Sequence, residues 1–200
     1  MNKYLVTLNA PANDDILTPN GRQSILSAAR RWGAHYIEIS APLNDQHHYR
    51  SKIHLDQVVP EGRICFVDGD VVLRHDCPSP FDIVPEGRLG LVRSHHPSHS
   101  GSTHAVIKHG YPNTGFMVFD KPTHQGWFER ARELAAKNWT SSWWVSDQGP
   151  LFASYISLGI NPVWLPPMMQ HNGDDLWSGW TPNMDKLGYH FCGPIDKKIA

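Results

Sequence analysis

Two aspartates, Asp68 and Asp70, stand one glycine apart in an otherwise apolar run, with Ile64, Cys65, Phe66 and Val67 before them and Val71, Val72 and Leu73 after. Burying a carboxylate costs on the order of several kcal/mol unless it is paired or bound to a metal. The pair is therefore either in water at a turn or holding a cation. As a turn, Asp-Gly between apolar runs is a signal for a type I′ hairpin. As a metal site, side chains at i and i+2 of an extended segment point the same way, so both carboxylates can share one ion. Gly69 removes a side chain that would block a bulky ligand. Two hard oxygen ligands with open positions suit Mn²⁺ or Mg²⁺ bridging to phosphate oxygens.

The elements that must position this pair are legible from periodicity. Residues 3–8 read as a first strand, and 9–20, rich in Pro, Asn and Asp, as loop. Thr18 is an N-cap candidate with Pro19 at the first helical position. Ile25, Ala28, Ala29 and Trp32 repeat at helical spacing until Gly33, and 36–39 read as a second strand. Strand, helix, strand in this span implies a βαβ unit and a parallel sheet. A helix over 46–59, with Ile53, Leu55, Val58 and Val59 apolar, leads through Pro60 and Gly62 into one strand over 64–73. Further strands are predicted at 89–92 and 115–119, and helices at 127–137 and 147–158, the latter capped by Ser146. Short apolar pieces at 163–165 and 188–191 follow among Pro and Gly. The expectation is one α/β domain over 1–200, its mostly parallel sheet flanked by helices, with a loop-rich C-terminal half.

Composition narrows the function classes. The chain has 200 residues, 40% apolar and 18% charged, with a formal net charge of −1. That balance gives no global basic field for nucleic acid or a membrane surface. Three cysteines without metal-ligand spacing fit reduced thiols. No apolar run approaches transmembrane length, and the N-terminal one is too short for a signal-peptide core, so a cytoplasmic location is expected. His95, His96, His99, His104 and His109 cluster among Ser, Gly and Pro, which reads as a long loop, either a functional lid or a solvated variable segment.

An apolar strand ending in Asp-x-Asp after a βαβ half resembles the GT-A-fold nucleotide-sugar glycosyltransferases. The nearest resemblance is to the family 8 type, the glycogenin and galactosyltransferase relatives. The likeness continues in order. Tyr49, Arg50, Ser51 and Lys52 match the basic helix before the metal strand. Asn113, Thr114 and Gly115, leading into Phe116-Met117-Val118-Phe119, resemble the strand bordering the donor sugar. Asp147 and Gln148 resemble the Asp-Gln helix start. Trp164, Leu165, Pro166 and then Asn172 resemble the following segment, and His190, Phe191 and Gly193 the closing His-Phe-x-Gly.

The resemblance implies a metal-dependent enzyme moving a sugar from a nucleotide-sugar donor, a UDP-sugar with retention of configuration, to an unknown glycan, lipid or protein acceptor. It implies a nucleotide-binding half over about 1–75 and a sugar and acceptor half over about 76–200. Asp68, Asp70 and His190 are then the ligands of Mn²⁺ or Mg²⁺. Lys52, Arg50 and the C-terminal Lys197 (with Lys198 as its rival) contact diphosphate or sugar, and Asn113 contacts sugar hydroxyls. Gly69 and Gly193 line the donor, and Thr7, Asn9 and Asp15 meet the base or ribose. Asp147 holds a sugar hydroxyl or acceptor, and Gln148 lies beside the anomeric carbon in a positioning role, since an amide is a poor nucleophile. The residues alone leave bland alternatives open: a solvated face for Arg50 and Lys52, a turn for Asn113, a helix start for Asp147 and a backbone-bonded histidine for His190.

Trp177 and Trp180 are candidates for an acceptor platform, although packing is the commoner fate of tryptophan. Two other classes compete. A haloacid-dehalogenase-type phosphatase would use Asp68 as nucleophile and Asp70 as acid/base, with Asp174 and Asp175 as a second acidic cluster. A non-catalytic sugar-binding relative would use the same groove without turnover.

Overall fold

The computed structural model describes residues 1–9, 17, 19–40, 52–69, 71–93, 109–137, 147–166 and, as backbone only, 188–190. The strands are β1 (Lys3–Leu8), β2 (His35–Ile39), β3 (Gly62–Val67), β4 (Val71–Leu73), β5 (Gly90–Arg93), β6 (Pro112–Lys121), β7 (Val163–Leu165) and β8 (Gly188–His190). The helices are α1 (Pro19–Trp32), α2 (Leu55–Val58), α3 (Pro80–Ile83), α4 (Gln125–Lys137) and α5 (Gln148–Ser157).

Six strands form the central sheet in the order β2-β1-β3-β6-β5-β7. The β1–β2, β1–β3 and β5–β7 pairs are parallel, and β6 runs against both neighbours. The sheet is thus mostly parallel, as the βαβ pattern of β1, α1 and β2 requires. Its centre is β3, with all six residues buried. Strand alternation sends Ile64 and Phe66 to one apolar cluster and Cys65 and Val67 to the other. The first cluster is covered by α4 and α5 through Trp127, Phe128, Leu151 and Tyr155, the second by α1 through Ile25, Ala28, Ala29 and Trp32. Each large side chain so buried contributes about 1.5–3 kcal/mol. Among the described residues the helices cover both faces of the sheet rather than its strand ends, and in parallel α/β sheets ligands bind at the carboxyl ends.

Several expectations hold and several change. Pro19 begins α1, and Gly33, at φ 63°, follows its last residue. The strand expected over 64–73 is two strands. It stops at Val67, and Val71–Leu73 joins β8 in a separate two-stranded sheet. The helix expected over 46–59 is described only from Lys52, as a single 3₁₀ turn over 52–54 followed by the short α2. Strand β6 is longer than its apolar core, because Pro112, Asn113 and Thr114 at its start and Asp120 and Lys121 at its end also lie within it.

The amino end of the sheet is closed by polar bonds. Arg63 donates to the carbonyls of Phe81 and Val84 and lies 3.3 Å from Asp120 Oδ1, while Asp120 accepts the Gly87 N–H. Arg132 makes a bidentate pair with buried Asp56 at 2.6 and 3.0 Å, fastening α4 to α2.

Candidate active site

At the carboxyl end of β3 the backbone turns. Val71 N–H donates to Asp68 O at 3.1 Å, closing a four-residue turn around Gly69. It is a turn without a hairpin, since β3 and β4 are not paired with each other. The strand therefore does not run on through Asp68 and Gly69 as one extended segment. Asp68 is held from the other side by β6, its N–H donating to Gly115 O at 2.9 Å. Gly69 is buried, and Asp70 lies outside the described residues.

Three charged side chains meet at this edge. Lys52 Nζ lies 2.8 Å from Asp68 Oδ2 and 3.6 Å from Asp147 Oδ2, and sits over the Phe66 ring, 5.6 Å from its centroid. Asp147, at the N-terminal end of α5, is 4% exposed and accepts the Thr114 hydroxyl. Tyr111 packs nearby: burial, and secondly the Asp147 charge, pushes its phenol well above the usual range. Lys52 thus bridges the carboxylate just after β3 and the one just before α5, with Thr114 of β6 fixing the second.

The irregular start of β6 makes this possible. Its pairing with β5 jumps between Leu91, opposite Met117, and Val92, opposite Asn113, while Phe116 stays paired with Val67 of β3. Such irregularities re-aim side chains beside active sites. Here the skipped stretch carries Thr114 to Asp147 and the Gly115 carbonyl to Asp68. Asn113 is buried and its Oδ1 accepts the Gly115 N–H at 2.9 Å, a turn bond of the Asx kind.

Beside it, β1 and β2 end in a second cluster. Glu38 accepts from Asn9 Nδ2 at 2.8 Å, Arg22 at 2.7 Å and the Tyr36 hydroxyl at 3.0 Å. Burial works to raise the Glu38 pKa, but those hydrogen bonds outweigh it and hold the carboxyl below its ordinary value. Thr7 is fully buried, and its hydroxyl has no hydrogen-bond partner among the described residues.

The fold therefore gathers Lys52, Asp68, Asn113 and Asp147 at one edge, with Gln148, half-buried, next along α5. Asn9 and Thr7 end the neighbouring strand. The register of β8 with β4 pairs the His190 backbone with Val71, next to Asp70 in sequence. Asp15, Arg50, Gly193, Lys197, Lys198, Asn172, Trp177, Trp180, Asp174, Asp175 and the histidines at 95–104 lie outside the described residues. Among the described residues no group of three or more His, Cys, Asp or Glu is placed to hold a metal. The donor set nevertheless fits a hard divalent ion in kind: Asp68 at an open strand end, Asp70 two residues on, and a histidine whose strand is registered against this turn. Sequence reasoning missed Thr114 as Asp147's partner and Glu38 as the anchor of Asn9. A polar residue at the start of a buried strand was the available signal for the first.

No protein-family model and no curated protein matches the sequence. Solved structures do. The chain is similar to a glycosyltransferase involved in glycosylation of the major capsid of PBCV-1, at 11% identity and TM-score 0.69, over 99% of this chain and 97% of that one. It is similar to the apo glycosyltransferase GlyE of Streptococcus pneumoniae TIGR4, at 14% identity and TM-score 0.64, over 96% of this chain but only 55% of that one. The chain thus spans about half of GlyE's length. A third is the galactosyltransferase LgtC in complex with donor and acceptor sugar analogs, at 12% identity and TM-score 0.58, over 96% and 87% of the two chains. The protein has the GT-A-like fold of these glycosyltransferases.

Proposed function

We propose that the protein is a glycosyltransferase that moves a sugar from a nucleotide-sugar donor to a hydroxylated acceptor across the carboxyl edge of β3. The observation that carries this reading is the Lys52 bridge between Asp68 and Asp147 at the sheet edge of a glycosyltransferase fold. The ordered motifs from Lys52 to His190 support the family 8 type, and with it a UDP-sugar and retention. Asp68, Asp70 and His190 would hold Mn²⁺ or Mg²⁺, which when bound supplies Lewis-acid neutralisation of the departing diphosphate.

The chain's own residues do the rest. Lys52 brings a positive charge to where the diphosphate and sugar would lie, its Nζ over the Phe66 ring. Asp147, locked by Thr114, offers a carboxylate to a sugar hydroxyl and sets the place of Gln148. The Gln148 amide then positions the anomeric centre without attacking it. Asn9, held by Glu38, presents the end of β1 to the base or ribose.

The test is a thermal-shift panel of nucleoside diphosphates with and without Mn²⁺. UDP with Mn²⁺ is expected to stabilise the wild type, and Asp68→Ala, Asp70→Ala and His190→Ala to remove the Mn²⁺-dependent part. No shift with any nucleotide, or wild-type behaviour of the aspartate variants, would overturn the reading. The phosphatase alternative gains no observation from the fold.

A further inference from the structure

We propose that Arg93 and Trp164 form an anion-binding subsite for the acceptor, selecting sugars that carry a phosphate or carboxylate. The proposal rests on the transfer function above and names its acceptor class.

Arg93 is the last residue of β5, so it lies at the same carboxyl edge as Asp68. It is paired with Pro112, one register step from Asn113. Leu91 and Arg93 alternate to one face, and Trp164 is registered with Leu91. That face is the one covered by α5, the helix that begins beside Asp147. The Arg93 guanidinium sits 4.9 Å from the centroid of the Trp164 ring. The ring is seated in turn. It packs against the buried cluster, and Gly110, at φ 76°, lets the chain pass so close that a Cβ there would lie 2.8 Å from Trp164 Cζ2 and 3.0 Å from Arg93 Nε. Tyr155 of α5 anchors that passage by donating to the Gly110 carbonyl.

The charge is what makes this corner more than packing. Two other arginines, Arg63 of β3 and Arg132 of α4, are paired with Asp120 and Asp56. Arg93 is exposed, and among the described residues no carboxylate lies within ion-pair distance of it. A guanidinium stacked on an aromatic ring is pre-organised, and its fork matches the oxygens of a phosphate or carboxylate. Its attraction for an anion is therefore not spent on a neighbour within the described fold. Placed beside the site edge, it would orient an acidic acceptor and raise its local concentration.

The full chain is titrated, without nucleotide, with methyl glucoside, methyl glucuronide, glucose 6-phosphate and inorganic phosphate, by calorimetry and tryptophan fluorescence. Separately, UDP with Mn²⁺ is titrated into the same proteins. The charged sugars are expected to bind at least about tenfold more tightly than the neutral one. Arg93→Gln should abolish that preference, and Arg93→Lys should keep part of it. A stronger response to glucuronide or to sugar phosphate identifies the anion. UDP affinity should be unchanged in Arg93→Gln. Equal binding of neutral and charged sugars, no charged-sugar binding in the millimolar range, or an intact preference in Arg93→Gln would overturn the subsite. Failure of UDP to bind the wild type would count against the donor reading instead, and leaves the charged-to-neutral comparison to decide the subsite.

Discussion

Lys52 and Asp68, sixteen residues apart in sequence, meet at 2.8 Å at the carboxyl end of the central strand. The same ammonium reaches Asp147 at 3.6 Å, so one cation joins the turn after β3 to the start of α5. Two carboxylates at a half-buried edge require such a charge between them. Under the proposed function, a donor's diphosphate arriving here would meet a lysine already positioned by both.

Removing that charge is expected to destabilise the fold as well as the site. Lys52→Met should lower unfolding free energy by about 3 kcal/mol at neutral pH, since buried Asp147 is left without its countercharge. Lys52→Arg should lose far less. Urea denaturation reads both, and a Lys52→Met loss under about 0.5 kcal/mol, within the range of a surface substitution, would show that Lys52 does not balance the pair.

Thr114→Val keeps the shape of a β-branched side chain but deletes the donor to Asp147. A loss of about 1–2 kcal/mol is expected, with Thr114→Ser close to wild type. The comparison of the two separates the hydroxyl from the packing. If Val is tolerated as well as Ser, the bond does not hold Asp147.

Glu38 supplies a pH signature. Its folded pKa lies below the unfolded value, so its contribution is present above the ordinary carboxylate range and lost as pH falls through the folded value. Glu38→Gln should therefore cost about 1 kcal/mol at pH 7, through weakened bonds from Asn9 and Tyr36, and nothing in strong acid. Denaturation midpoints across pH 3–7 would check this; a difference that does not shrink on acidification would contradict it.

His124 should produce a second, higher step. Its Nδ1 lies 3.0 Å from the Asp120 backbone nitrogen and 3.1 Å from the Asp120 carbonyl oxygen, and burial, outweighing the pull of Asp120, holds its pKa below the ordinary histidine value. Below that ordinary value the unfolded chain takes up the proton first, so stability declines as pH falls toward the depressed folded value. The wild-type unfolding free energy should fall between pH 7 and 5, and His124→Asn should flatten the decline. An unaltered slope in the variant would assign the loss elsewhere.

Much of the fold was legible because it rests on local rules. Helix α1 has Pro19 at its start, apolar residues at 3.6-residue spacing and a glycine stop, and all of these act within the element itself. The parallel pairing of β1 and β2 follows from the crossover geometry. The break after Val67 was not legible in the same way. Asp68 and Gly69 interrupt an apolar run that reads as one strand, and whether Val71–Leu73 continues that sheet depends on β8, more than a hundred residues away.

The sequence by itself determined that the chain is α/β and that a carboxylate pair follows a buried apolar strand, for which periodicity and residue type are enough. The order of Lys52, Asn113, Asp147 and Gln148 points to a nucleotide-sugar site only through its resemblance to the GT-A glycosyltransferases. Only the tertiary structure decided that Lys52 serves Asp68 and Asp147 together, that Asp68 turns without a hairpin, and that Asn9 is committed to Glu38. It also decided that Arg93 stands exposed on Trp164 beside the same edge. The physical reason is that charge compensation and register are relations between distant strands. A carboxylate's partner is set by which element the burial of apolar faces brings against it, and no spacing along the chain encodes that.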